Sequence, residues 1–304
     1  MKQLLLISVI ASPLFFQYAQ GQDSALLKML NDSMSLHAQS FYETGTFKAN
    51  HVVNMQTIEG PAAGALNLEI QHRFGKLSGG IYDFFGLDVA AWRLGFDYGI
   101  SDRLVVGVGR SSYLKTYDGY IKYKLLRQTA GNLKIPVSIS ILGTINNQTF
   151  DDPQKPYLNA MYRTSYTAQL LIARKFSTRF SAQLAPTYLH YNVVPTANDK
   201  NDVFALGIGA RMKITKRMSI NGEYDYLPSG QVVSKPVYNC FALGWDIETG
   251  GHVFQLVFSN SQSAVETQYI TRTTDQWKNG DIYFGFNVSR NFNISKKAKS
   301  QANK

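Results

Sequence analysis

Cysteine, charge and long apolar runs are what this chain has least of. It holds one cysteine in 304 residues, and only 17% of its residues are charged. The lone Cys240 excludes a disulfide framework, a cysteine-based zinc cage and an iron–sulfur site. Past the N-terminus no run approaches the ~20 apolar residues of a membrane-crossing helix, which argues against a helical membrane protein. Aromatics at 13% argue against disorder.

The N-terminus reads as an address. Lys2 precedes an apolar run from Leu4 to Phe16, and Ala19 and Gly21 stand at −3 and −1 of a cut before Gln22. That is the pattern of a secretory signal peptide over 1–21, too short to span a bilayer as a helix. Its removal takes one positive charge and no acid from a formal +10. Four of the remaining charges are Lys296, Lys297, Lys299 and Lys304, in a Lys-rich tail over 293–304. An exported chain with this balance is expected to meet no nucleic acid.

Residues 22–45 form an N-terminal segment expected on the periplasmic side. Leu26, Leu27, Leu30 and Met34 give it a short amphipathic helix, a candidate for closing the periplasmic mouth. From Thr46 the period changes to two. Trp92, Leu94, Phe96 and Tyr98 alternate with Arg93, Gly95, Asp97 and Gly99, so one strand face is apolar and the other small or charged. The pattern recurs through 284–289, giving about twelve strands, and 46–59 is a candidate for one more. Charges of both signs gather on the polar face: Glu69, Arg73, Arg93, Asp97, Lys122, Lys124, Arg211, Glu223, Asp225 and Asp246.

A soluble β-sandwich and a transmembrane barrel both fit alternating strands, and two features favour the barrel. About ten residues at roughly 3.3 Å each, tilted about 45°, cover some 23 Å, close to the ~25 Å apolar band of an outer-membrane barrel. Tight turns at 100–103, 175–178, 215–217 and 248–251 alternate with long polar links at 75–88, 146–160, 191–201, 227–237 and 260–280. Short periplasmic turns and long outer loops are the barrel pattern. The short 111–116 link and the long 127–135 turn depart from it. The expected fold is all-β: a transmembrane antiparallel up-and-down barrel over 46–292.

Several runs carry a resemblance. His72-Arg73-Phe74-Gly75, Phe85-Gly86-Leu87-Asp88, Tyr98-Gly99-Ile100-Ser101-Asp102-Arg103-Leu104 and Val108-Gly109-Arg110-Ser111-Ser112 come in order. Thr249-Gly250-Gly251-His252-Val253-Phe254-Gln255-Leu256 and the 284–292 run follow. Together they resemble an uncharacterised family of Bacteroidetes outer-membrane β-barrels, a domain of unknown function. The resemblance implies an outer-membrane location and no transferable activity. Phe284, Phe286, Val288 and Phe292 also look like the closing signal read by the barrel-assembly machinery.

No enzyme is expected. Lipid-face hydrolysis by a barrel needs a histidine beside a serine, and His72, His190 and His252 are followed two residues on by Phe74, Asn192 and Phe254. The five histidines are too scattered for a metal motif, and no cofactor is expected. Gly107, Gly109, Gly207 and Gly209 read as small inward residues rather than phosphate loops, and Cys240 as a small filler. The mixed charges are expected to line a lumen that passes or binds a small solute. The alternative is a plugged, non-conducting structural or partner-docking barrel, with a lipid-face hydrolase a distant third. Tyr82, Phe84 and Phe85, in an apolar first outer loop, are expected either to fold in as a mouth constriction or to cap the rim. Lipid, the assembly machinery and a small solute are the expected partners.

Overall fold

The computed structural model describes residues 26–29, 41–131, 134–150, 153 and 155–295. The signal peptide, most of the 22–40 helix and the lysines of the tail lie outside the described residues. Of that helix, residues 26–29 form one exposed helical turn.

Alternation becomes wall. Twelve antiparallel strands close into a barrel: β1 Ala65–Lys76, β2 Ala90–Gly99, β3 Leu104–Ser111, β4 Thr116–Leu126, β5 Ser138–Gln148, β6 Thr164–Lys175, β7 Phe180–Tyr191, β8 Asp202–Lys213, β9 Met218–Tyr226, β10 Cys240–Thr249, β11 His252–Ser259 and β12 Tyr283–Asn293. Each strand pairs with the next in sequence, and β12 pairs with β1 to remove both edges. Side chains alternate between the two faces of the wall. Trp92, Phe96, Val108, Ile121, Ile141, Phe204, Ile208 and Trp245 therefore point out and stay exposed, while Glu69, Arg73, Asp97, Lys122, Glu223 and Asp225 point in and are buried. An exposed apolar band around a closed sheet is the surface that hydrocarbon solvates.

Turn lengths sort the two ends as the sequence predicts. The long 127–137 link has its own explanation, because Thr129–Ala130 pairs with Phe41–Tyr42 in a two-stranded ribbon. The Lys175 ammonium meets Glu43 at 3.0 Å, and Gln128 bridges to the Lys175 backbone. That turn is long because it clamps the incoming N-terminal chain against the tight-turn rim. On the wall, Pro186 has no N–H to give, and the β6–β7 ladder skips from Gln169–Thr187 to Ile172–Leu184 around it.

The barrel wall begins at Ala65, not at residue 46. The 46–59 stretch, a candidate thirteenth strand by sequence, is instead inside the barrel: Phe47, Asn50, His51, Val52, Val53, Asn54, Met55, Gln56, Thr57 and Ile58 are all buried. Val52, Val53, Met55 and Ile58 pack with the inward Leu142, Leu171, Leu189 and Val203 into an apolar core within the lumen.

The lipid-facing assignment is tested at Ile208, in the middle of β8. Replacing it with arginine is expected to destabilise the barrel by about 2–4 kcal/mol, as a charge near the bilayer midplane does. Urea unfolding in lipid vesicles reads this out, and an unchanged midpoint would place Ile208 away from hydrocarbon.

Candidate functional site

The candidate site is the filled lumen together with the clefts above it. Residues 50–57 turn back on themselves: the Val52 N–H donates to the Met55 carbonyl at 2.8 Å, and the Thr57 N–H to the Asn50 carbonyl at 2.7 Å. The three amides at the tip, on Val53, Asn54 and Met55, all donate to Glu223 Oε2, at 3.1, 2.9 and 2.8 Å. Hydrogen bonds to a charged acceptor contribute about 1.5–3 kcal/mol each, so one buried carboxylate fixes the tip. The wall leaves room for it. A Cβ on Gly207 would stand 2.6 Å from Met55 Sδ, and one on Gly209 2.7 Å from Met55 Cε and 3.0 Å from Val52 Cγ2. The small inward residues of β8 are a slot for the plug.

Five of the ten charges read from the sequence, Glu69, Arg73, Asp97, Lys122 and Glu223, are bonded to this segment. Glu69 accepts from His51 Nδ1 at 2.8 Å. Asp97 accepts from Asn50 at 2.7 Å and from Asn67 at 3.0 Å. Lys122 donates to Gln56 Oε1 at 3.0 Å and to the Thr57 carbonyl at 2.9 Å. Arg73 donates to Asn54 Oδ1 at 2.9 Å and to Asn287 Oδ1 at 2.8 Å. Arg211 reaches the Gly45 carbonyl and holds Ser219, which bonds Asp246; Asp246 also accepts from Asn221 and Gln255. Arg93 forks onto Asp118, a partner the sequence reading did not single out, at 2.5 and 3.0 Å. Lys124 is half-buried at the tight-turn rim beside Glu59. Asp225 stands apart, with one carboxylate oxygen unpartnered.

The lumen is closed from its other end by the β11–β12 loop, which the sequence shows only as a long polar link. Its short helix α1, Glu266–Tyr269, and the following Ile270 and Thr271 are buried. Gln268 donates to Thr116 Oγ1 at 2.7 Å, and Tyr191 Oη donates to the Thr267 carbonyl at 2.7 Å. The other expected closure does not form. Tyr82 is 93% exposed and Phe84 61%, with Phe85 exposed beside them, so the first outer loop stays outside the lumen rather than constricting its mouth.

Two clefts open at the long-loop rim, of about 220 and 350 Å³, sharing the wall Val193–Pro195 and the side chain of Arg272. Lys200 and Lys235 line the first and Lys155 and Arg163 the second, against a single acid, Asp199. Asp199 latches two loops: it accepts from the Val233 N–H at 2.7 Å, the Ser234 N–H at 3.0 Å and Thr196 Oγ1 at 2.8 Å. Burial pushes its carboxyl up, but these donors outweigh burial and hold it below the ordinary carboxylate range. Burial and then the Arg272 charge push the Lys235 ammonium down, with Asp199 partly offsetting both.

A closed antiparallel wall with an apolar outer band, filled by its own N-terminal segment, defines a membrane β-barrel with an internal plug. Residues 47–292 match the family described as Membrane bound beta barrel domain (DUF5777), and this chain belongs to that family. The match starts at Phe47, so it takes in the plug as well as the wall. Among solved structures the chain is similar to the KdgM porin, at 10% identity and a TM-score of 0.47 over 74% of this chain and 99% of that one. It is also similar to the COG4313 outer membrane channel from Pseudomonas putida F1 (11%, 0.46, 77% and 97%). A third is outer membrane phospholipase A from Escherichia coli (9%, 0.41, 76% and 90%). At these values the likenesses carry no argument about fold, ligand or reaction. No curated protein matches the sequence.

Two predictions follow from the plug and the latch. Gly209→Ala leaves the lumen shut, because the flexible end of Met55 can turn away. Gly209→Leu adds an overpacking cost of about 1–3 kcal/mol against the plug and should produce unitary conductance steps in planar bilayers; a folded but silent variant would show that the plug does not yield. The Asp199 latch is fully present above the ordinary carboxylate pKa of ~3.9 and weakens as pH falls through the lowered value in the folded state. Asp199→Ala should therefore speed tryptic cleavage after Lys200 at neutral pH. In the unmodified protein, hydrogen exchange in these loops should rise only below about pH 4.

Proposed function

We propose that this protein is an outer-membrane barrel that binds a small anionic solute with an apolar portion at its long-loop rim, and opens when that solute draws the β11–β12 loop aside and the plug beneath it then yields. The signal-peptide pattern and the likeness to Bacteroidetes barrels support the location. The observation that carries the binding reading is a shared element: Thr271 and Arg272, which line the smaller cleft, follow one residue after α1, which seals the lumen below. A carboxylate or phosphate held by Arg272, Lys200 and Lys235 would act on the seal itself. Valine and proline side chains at 193–195 supply apolar contact. The sequence reading of a charged lumen is kept in a changed form: its charges hold the plug in the resting state and line a passage only when the plug moves.

A permanently closed docking barrel is the second reading, favoured by how thoroughly the plug is hydrogen-bonded. Enzymatic function is not part of the proposal. His72 stacks on Phe286, and His190 bonds Asp202 at 2.7 Å. No serine–histidine hydrogen bond occurs among the described residues.

Benzoate, an anion with an apolar ring, is the probe. The refolded barrel should be silent in planar bilayers without it, should gain thermal stability with it, and should then show conductance steps. Arg272→Ala should weaken the apparent affinity about tenfold, as expected for loss of one charged hydrogen bond. Stabilisation without conductance would favour the docking reading, and no response from a folded barrel would remove the solute site.

A further inference from the structure

The unpaired group left over by the plug marks a second site. Glu223 and Asp225 stand two apart on the inward face of β9, and Cys240 on β10 lies directly opposite Asp225 in register. The three side chains are 1%, 2% and 0% exposed. Glu223 Oε2 is occupied by the plug amides, while Glu223 Oε1 and Asp225 Oδ2 have no hydrogen-bond partner. One ligand atom from each of Glu223, Asp225 and Cys240 can be chosen so that all lie within 4.8 Å of one another. The Tyr269 hydroxyl, fully buried and also without a partner, faces the same charges from the long-loop side.

The buried Arg73 guanidinium is the cation whose charge reaches this cluster, acting on Glu223 and Cys240. Arg73 is the closest guanidinium, but its Nη donors go to Asn54, Asn287 and the His72 carbonyl. The thiol has only long contacts, to Asn54 Nδ2 at 3.9 Å and Ser259 Oγ at 3.8 Å, and a proton shared by the two carboxylates would leave the Tyr269 hydroxyl without a partner. Buried carboxylate oxygens left without donors, as Glu223 Oε1 and Asp225 Oδ2 are, can be satisfied by a coordinated cation. Two carboxylate oxygens and a thiolate form a mixed hard and soft set that suits zinc. Zinc–oxygen bonds of about 2.0–2.2 Å and a zinc–sulfur bond of about 2.3 Å put donors within the separation found here.

We propose that Glu223, Asp225 and Cys240 bind a divalent zinc ion inside the barrel. Binding takes Cys240 as thiolate and releases its proton to solvent. Because Glu223 would hold the ion through Oε1 and the plug tip through Oε2, the metal braces the plug without touching it. The site is independent of the solute cleft, and its test does not read conductance.

The full mature chain, refolded in detergent and stripped with chelator, is loaded with Zn²⁺ or Co²⁺ and desalted. One ion per chain should remain, and the cobalt form should show a near-ultraviolet thiolate-to-metal absorption. Cys240→Ser should lose that absorption, and Asp225→Asn should weaken retention at least about tenfold, with heat-shifted gel mobility confirming that both are folded. A folded wild-type chain that keeps no ion, or cobalt without thiolate absorption, overturns the proposal whether or not the variants assemble. Undiminished retention by both variants does so too, by assigning the ion to another place on the chain.

Discussion

A buried charge must be answered, and this barrel answers its own with backbone. Glu69, Arg73, Asp97, Lys122 and Glu223 point into a narrow lumen where an unpaired ion would cost several kcal/mol. What meets them is the 46–59 segment: a histidine ring, amide side chains, and the exposed amides and carbonyls of a tight turn. These groups are polar without being charged, so five ions of mixed sign each find a partner in a strip of chain that carries little charge of its own, with Glu223 Oε1 and Arg73 Nε left over. The wall could not hold such residues without the plug, and the plug has no fold without the wall.

That dependence explains what could be read in advance. The wall was legible because its rule is local: Trp92, Leu94 and Phe96 against Arg93, Gly95 and Asp97 state the two faces of β2 within eight residues. Turn lengths were legible for the same reason, and so was the inward direction of the charged residues. The plug was not. Asn50 to Thr57 has no clean alternation, with Val52 and Val53 adjacent, and nothing in it says that its partners lie in other strands. Gly60 and Pro61 lie between it and β1. Likewise Leu171, Leu189 and Val203 look out of place on a polar face until Val52 and Met55 are seen to pack against them.

The two closures differ in character, and that difference shapes how the molecule can work. The plug enters from the tight-turn rim, clamped by the ribbon at Phe41–Tyr42 and by the Lys175–Glu43 pair, and its polar contacts are distributed around the wall. The β11–β12 loop is held over the lumen by Gln268 and Tyr191 and against the rim by Gln262, Asp275 and Trp277, and at Thr271 and Arg272 it runs into the cleft. A signal arriving at the rim reaches the loop first. Movement of the plug would require exchanging many hydrogen bonds together, which favours two discrete arrangements over a graded one.

The position of the plug in the chain has a consequence for assembly. The Val53 carbonyl accepts from Asn287, 234 residues away, and Val53 donates to Glu223, 170 residues away. The last strand must be synthesised before the first structured segment has all its partners. Until β12 meets β1, the charged inner face belongs to an open curved sheet, in contact with water and at little cost. Seam closure and filling therefore become a single late event, dominated by contacts distant in sequence. Such topologies fold slowly, and a chain that closed empty would trap its ions without partners, so the hairpin must already be in place when the ring is completed.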